Sequence, residues 1–455
     1  MANYFSSDTI AAIATCTLGD AGIGVLRFSG PQAFNAAQNL CPKLKNIKPR
    51  YLHRVFVNHP ETKEVLDDGL AVYFTQGESF TGEEVIELQL HGGRFLLQKI
   101  LQLAITTGLC RLALPGEFSF RAVQNGKMSL QEVQSIKQLI DAQSFFEVQS
   151  ARKRLSKKAY ANFLEIKEAL QSLLAQVELS IDFVDQDVEV ISQAKMQEEI
   201  KKLLNTINKE LAQMKAAQKI AQGLRVILVG EPNVGKSTLF NAILSQDRAL
   251  VSEEPGTTRD VITESISIGP YRVELADTAG IRVGTGKIEK QGIQKTRDLL
   301  EKADVVIWVL NLNSAESVFQ KSKTRQDLVV INKWDLVELG GLPNVAAAKV
   351  GAIPVSALKG EGILELLHAI QRDLDSRVGL GLNSFLPTEL QFQAFSECQV
   401  SLMQIQDVLK SQGLSSPEIL STLFRTALNA ISFFVGETTP DDVLTKIFSE
   451  FCIGK

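Results

Sequence analysis

The sequence contains no apolar run long enough to cross a bilayer. Its longest, such as Val305 to Leu310, fall far short of the roughly 20 residues a membrane helix needs. It opens MANYFSSDTI, without the basic-then-apolar pattern of a secretory signal, so the expected location is cytoplasmic. Positive charge is also scarce: 48 Lys and Arg against 52 Asp and Glu leave a formal net charge of −4. Bulk electrostatic capture of nucleic acid is excluded, DNA is not an expected partner, and any RNA contact must come from a local basic face. The five cysteines (Cys16, Cys41, Cys110, Cys398, Cys452) are odd in number and never spaced CxxC. A disulfide framework and a zinc site are therefore not expected, and all but Cys452 read as buried small hydrophobes. There is no internal repeat and no low-complexity tract.

What is present is an ordinary soluble composition, 45% apolar and 22% charged over 455 residues, enough for two or three domains. The first ~120 residues alternate strand-like runs (Ile23 to Phe28, Gly69 to Phe74, Val85 to Leu90) with turn signals, and Phe95 to Ile105 reads as a helix. From Ser129 to Gln218 no proline occurs, and apolar residues recur at helical steps. Leu170, Leu173, Leu174, Val177 and Ile181 form one series; Ile200, Leu203, Leu204, Ile207, Leu211 and Met214 form another. After Gly223 the runs LRVILVG, VVIWVL and LVVIN alternate with helical segments, the texture of a doubly wound parallel sheet. That texture is expected to end near Arg377, in the glycine-rich VGLGLNS. Helical periodicity returns after Pro387, with Leu420, Leu423, Phe424, Ala427, Leu428, Ile431 and Phe434 on one face. The expected architecture is multidomain α/β. An N-terminal α+β domain (1–122) precedes a helical bundle in two pieces (123–220 and 378–455), and an α/β domain (221–377) is inserted between them.

Four motifs give that insert its chemistry. Gly230-Glu231-Pro232-Asn233-Val234-Gly235-Lys236-Ser237, followed by Thr238, lies between a predicted strand and a helix, as a phosphate-binding P-loop does. Lys236 would reach the β- and γ-phosphates and Ser237 would ligate magnesium. Asp277-Thr278-Ala279-Gly280 ends a second strand, with a carboxylate for magnesium through water and a glycine to sense the γ-phosphate. Asn332-Lys333-Trp334-Asp335 ends a third, and Asp335 can accept two hydrogen bonds from guanine that adenine cannot offer. Ser356-Ala357-Leu358-Lys359 follows the next strand and can support the base. Together they imply a GTP-binding P-loop GTPase domain. The place of a Ras-like catalytic glutamine is taken by Ile281, which cannot orient water. Ser252, Glu253, Glu254, Pro255, Gly256, Thr257 and Thr258 occupy the first switch, where Thr258 can complete the magnesium shell. Asn233 has two readings, a loop-shaping residue or, with carbonyls of Ser252 and Glu254 and with Thr257, a ligand of a monovalent cation standing in for an arginine finger.

With these residues in hand, the sequence resembles the bacterial and organellar tRNA-modification GTPase family MnmE (TrmE) over essentially its whole length. The closing Phe451-Cys452-Ile453-Gly454-Lys455 carries the resemblance, as do Gly256-Thr257-Thr258-Arg259-Asp260, the Ser79 to Glu87 segment, His91-Gly92-Gly93 and Leu114-Pro115-Gly116-Glu117-Phe118. It implies a folate-binding, dimerising N-terminal domain, a helical domain and an inserted G domain activated by potassium. By position, Asn233, Ser252, Glu254 and Thr257 fall on potassium ligands, Ser237 and Thr258 on magnesium ligands, and Glu289 on the catalytic glutamate that orients the attacking water. Arg27, Glu87, Lys127 and Lys455 fall on the site of a tetrahydrofolate one-carbon derivative; read alone, each would be an ordinary surface charge. The family usually carries Pro-Gly-Arg-Gly where Thr17 to Gly22 places Asp20. Cys452 falls near the one-carbon unit, catalytic or structural. The resemblance also implies a homodimer working on tRNA with the flavoprotein MnmG (GidA), whose FAD and NADH supply the redox chemistry. Arg152, Lys153, Arg154, Lys157 and Lys158 read either as a solvated helix face or as a tRNA contact. The alternative function is a ribosome-assembly GTPase switch, whose G domain would look alike but which usually appends an RNA-binding module instead of a folate-like domain.

Overall fold

In a computed structural model of the chain, the described residues are 4–15, 21–45, 47–155, 161–182, 192–248, 262–277, 300–311, 327–336, 351–382, 384, 386–435, 448, 451 and 453–454. The chain divides into two compact units. One comprises Met1–Lys137 with Ser432–Lys455, the other Gln138–Ile431.

The first unit is built on β1 (Ile10–Ile13), β2 (Ala21–Ser29), α1 (Ala33–Leu40), β3 (His53–Asn58), β4 (Val65–Phe74), β5 (Val85–Gly92), α2 (Arg94–Thr106), β6 (Arg111–Leu112) and α3 (Glu117–Gln124), with α4 (Leu130–Asp141) beginning in it. The strands form one sheet in the order β3-β4-β5-β2-β1-β6, antiparallel except for β1 with β6. Alternation along β2 sends Leu26 and Phe28 to the face covered by α1 and α2, where Ala37, Ile100 and Ala104 are fully buried with them. Arg27 therefore points to the opposite face, directly across from Glu87 on β5. A smaller core of Ile10, Ala12, Ala113 and Phe118 forms there, with Phe80 against it. Residues from both ends of the sequence share a third cluster: Tyr4, Phe120 and Val133 pack with Phe448 and Phe451. Beside it, Ile453 forms an antiparallel bridge with Pro115. Gly454 has φ +100°, and a Cβ there would lie 2.3 Å from the Ile13 carbonyl oxygen, so only glycine fits.

The second unit opens with α5 (Phe145–Arg154), α6 (Ala161–Asp182) and α7 (Gln193–Ala221). It continues through β7 (Leu224–Val229), α8 (Lys236–Arg248), β8 (Ile262–Ile268), β9 (Tyr271–Asp277), β10 (Val305–Leu310), β11 (Leu328–Ile331) and β12 (Ile353–Pro354). The helices α9 (Ile363–Leu382), α10 (Glu389–Ser411) and α11 (Pro417–Val435) complete it. The sheet order is β12-β11-β10-β7-β9-β8, parallel but for the β8–β9 hairpin. From β7 the chain builds to one side, then crosses to β10 on the other. The carboxyl end of β7 is thus a topological switch point, where doubly wound sheets bind ligands. The apolar series on α6 and α7 is buried as its spacing predicts, from Leu170 and Val177 to Ile207 and Met214.

Helix α9 runs through Gly379 and Gly381 and ends at Leu382, inside the glycine-rich stretch that follows Arg377. A Cβ on Gly381 would stand 2.8 Å from the Ala217 backbone nitrogen, so the missing side chain lets α9 press onto α7. Among the described residues no helix is long and apolar enough to cross a membrane.

Candidate functional site

Strand β7 delivers the P-loop to the switch point, and α8 begins at Lys236. Asn233 takes φ 66° and Gly235 φ 92°. Asparagine tolerates that left-handed backbone, so the loop-shaping role of Asn233 is realised in its own conformation. Gly235 has a second constraint, because a Cβ there would meet Asn332 Nδ2 at 2.3 Å. That close approach is functional wiring. Asn332, buried at the end of β11, donates through Nδ2 to the carbonyls of Val234 (3.0 Å) and Gly235 (3.3 Å) and accepts from the Ala357 amide at Oδ1 (3.1 Å). Lys333 Nζ donates to the Asn233 carbonyl at 2.8 Å. Asn332 and Lys333, just past β11, thus hold the P-loop through its carbonyls.

Lys236 is 7% exposed, and its ammonium donates to the carbonyls of Gly230 (2.9 Å) and Glu231 (2.8 Å). Burial lowers its pKa, opposed by the nearby charge of Asp277. Among the described residues it makes no ion pair, so its charge is left for an anion. Ser237 Oγ donates to Asp277 Oδ2 at 2.7 Å. Hydroxyl and carboxylate, the hard oxygen donors that suit magnesium, therefore lie side by side at the start of α8. Asp335 Oδ1 accepts from Ser356 Oγ at 2.7 Å, which orients the carboxylate. Ser356 is fully buried and Leu358 is 81% exposed. Thr238 is exposed on the first turn of α8. Ser252, Glu253, Glu254, Pro255, Gly256, Thr257 and Thr258 lie outside the described residues, as do Thr278, Ala279, Gly280 and Glu289.

In the first unit Arg27 Nε donates to Glu87 Oε1 at 2.7 Å, with both side chains about one-fifth exposed. The Arg27 guanidinium lies 5.7 Å from the ring centroids of Phe80 and of Phe118. This half-buried charged pair between two aromatic faces suits a flat, polar-edged heterocycle. Lys127 is exposed and donates to the Gly77 carbonyl; Lys455 and Cys452 lie outside the described residues.

Sequence reasoning missed the residue that organises this region. Arg121 is 2% exposed and donates to both oxygens of Glu83 (3.1 Å each), to Glu117 (2.9 Å), to Asp8 Oδ1 (3.2 Å) and to the Asp8 carbonyl (2.7 Å). Arg111 adds a fork to Glu117 (2.6 and 2.8 Å) and another to Asp8 (2.7 and 3.0 Å). Burial alone would raise the Asp8 carboxyl, but hydrogen bonds from Arg111 and Ser6 and the charges of Arg111 and Arg121 hold it below its ordinary value. The Ser79 to Glu87 and Leu114 to Phe118 segments, which look unrelated in sequence, meet on this one guanidinium. The basic cluster also divides: Arg154 is buried and donates to the Leu386 carbonyl and Gln391, Arg152 and Lys153 are exposed, and Lys157 and Lys158 lie outside the described residues.

Two family models match the chain: "MnmE helical domain" over residues 130–452 and "GTP-binding protein TrmE N-terminus" over residues 9–127. Proteins named tRNA modification GTPase MnmE are similar from end to end. That of Aquifex aeolicus (strain VF5) is 33% identical, over 98% of this chain and 100% of its own. That of Koribacter versatilis (strain Ellin345) is 35% identical over 98% and 99%, and that of Thermotoga maritima 33% over 98% and 100%. A P-loop at the switch point of a doubly wound sheet, two matching family models and relatives alike over their full length lead to one assignment: the chain belongs to the MnmE family of tRNA modification GTPases.

Proposed function

We propose that this GTP hydrolase of tRNA modification is activated by potassium and acts in the cytoplasm as a homodimer with the flavoprotein MnmG. Together they install an aminomethyl or carboxymethylaminomethyl group on carbon five of the tRNA wobble uridine, with a tetrahydrofolate derivative as carbon donor. The observation that carries this reading is the pairing, in one chain, of the Lys236 phosphate loop with the Arg27–Glu87 pair between Phe80 and Phe118.

Lys236, which makes no ion pair among the described residues, receives the β- and γ-phosphates, and the start of α8 adds its amides and dipole. A magnesium ion would be held by Ser237 and Thr258, with Asp277 acting through water, and would neutralise phosphate charge. Potassium would be held by Asn233, Ser252, Glu254 and Thr257, and Glu289 would orient the attacking water. Asp335 selects guanine, held in place by Ser356. On the folate side Glu87 accepts from the edge of the pterin and Arg27 engages an oxygen, with Lys127 and Lys455 at the rim. GTP turnover drives opening and closing of the G domain rather than the carbon chemistry.

Nucleoside analysis of tRNA from a deletion strain tests the whole reading: loss of the modified wobble uridine is expected, and an unchanged nucleoside would sink it. Exchanging potassium for sodium tests the cation. GTP turnover should drop strongly, and equal rates in both salts would remove potassium from the site.

A further inference from the structure

We propose that a groove between α5 and the β8–β9 turn binds a single-stranded segment of tRNA. The proposal rests on tRNA being the substrate and adds a place for it on this chain. Because the molecule is acidic overall, RNA can be held only where charge is locally reversed.

Helix α5 is a described element that does this beside a concavity, with Arg152 and Lys153 exposed in its last turn. Ser144 caps it, accepting from the Glu147 amide at 3.2 Å, and Glu147 bonds back to the Gln143 amide and the Ser144 hydroxyl at 3.0 Å each. Its inward face anchors it: Phe146 is buried in the core of the sheet, its amide donates to the Pro270 carbonyl at 3.0 Å, and Arg154 is 2% exposed. The outward stripe is Phe145, Val148, Gln149 and Arg152, at steps of three and four, so all four side chains share one face. Phe145 is 59% exposed, unusual for a phenylalanine on a docked helix.

That stripe lines a concavity of about 820 Å³ whose far wall is Pro270 and Leu382. The size falls in the roughly 300–1,000 Å³ range of ligand pockets. Lys153 also lines it, its ammonium donating to the Leu382 carbonyl at 2.7 Å, so both cationic side chains of the groove stand at one end. An exposed aromatic face, an amide and a guanidinium along one rigid helix face match the parts of one nucleotide unit. The ring stacks a base, Gln149 meets its edge, and Arg152 takes a phosphate. An A-form duplex keeps its bases stacked internally and cannot offer one to Phe145, so the occupant is single-stranded. Because Pro270 belongs to the hairpin of the nucleotide-binding sheet, RNA here would touch the bundle helix and the sheet at once.

The test uses full-length protein, an unmodified tRNA transcript and filter retention across a series of KCl concentrations. Phe145→Ala and Arg152→Gln should each weaken tRNA binding about tenfold. Arg152→Gln should also shallow the salt slope by about 0.7, whereas Phe145→Ala should leave it unchanged. Intrinsic GTP turnover without RNA should stay within twofold in both. Variants that bind tRNA like wild type would overturn the groove and leave the tRNA reading standing. Loss of GTP turnover together with RNA affinity would make α5 a structural strut and overturn the proposal. A fully paired RNA duplex competing as well as a single strand would also overturn it. Wild-type protein that retains no tRNA, with or without the flavoprotein, would sink the substrate reading itself.

Discussion

The first unit buries Arg121 and the second buries Lys236, and these two cations are treated oppositely. Arg121 is surrounded by Glu83, Glu117 and Asp8, so its charge is cancelled inside the fold. Lys236 is nearly as buried but, among the described residues, donates only to two neutral carbonyls, with the charge of Asp277 nearby. A cancelled cation is structural, because removing it strips a partner from the buried carboxylate of Glu117 and the partly buried one of Glu83. An uncancelled one is held ready for a ligand, and the fold carries its desolvation until the ligand arrives. Both are buried and basic; carboxylates bond directly to Arg121, whereas Lys236 bonds to carbonyls with the charge of Asp277 nearby.

The sharpest way to break this contrast is Lys236→Met. GTP turnover should fall by at least about 100-fold, as for other preorganised charges aimed at a transition state. The apo protein should be no less stable than wild type. Burial lowers the pKa of Lys236, so the unfolded chain binds that proton more readily and the ammonium opposes folding at neutral pH. Turnover assays with thermal melts check both halves, and a large loss of apo stability would show that Lys236 is framework after all. Arg121→Met should do the reverse. Unfolding in urea should reveal a loss of about 3–5 kcal/mol, with nucleotide affinity of the folded molecules retained. The smallest effect concerns thiols. Burial pushes Cys41 and Cys398 up to about 12 and Cys110 up to about 11, so these stay protonated at neutral pH. Native labelling with a thiol reagent should spare all three, and mass mapping should find any label on Cys16 or Cys452 only.

The contrast also marks what could be read from sequence. Lys236 announces itself because a P-loop is local: its glycines, lysine and serine stand together between a strand and a helix. The strands and long helices were legible for the same reason, since their periodicity repeats over neighbouring residues. Arg121 was not legible, because its partners lie far away in sequence at Asp8 and Glu83, and no local pattern links them. The reason for Gly381 was not legible for a related cause: only the neighbouring α7, far away in sequence, explains it. Asn332 was half legible. Its motif marks it for the base, whereas its bonds to the Val234 and Gly235 carbonyls depend on how β11 meets the P-loop.

The bridge between Ile453 and Pro115 has a consequence for synthesis. Residues 432–455 leave the ribosome after the whole of the second unit has been made, a delay of about 15–60 s at ordinary elongation speeds. During that interval Tyr4 and Phe120 lack the rings of Phe448 and Phe451, and the slot against Ile13 stands open. The first unit to be translated is therefore the last to be finished. A transcript cut short would yield a product with its P-loop made and the sheet of its first unit unsealed, which chaperones and proteases are equipped to find.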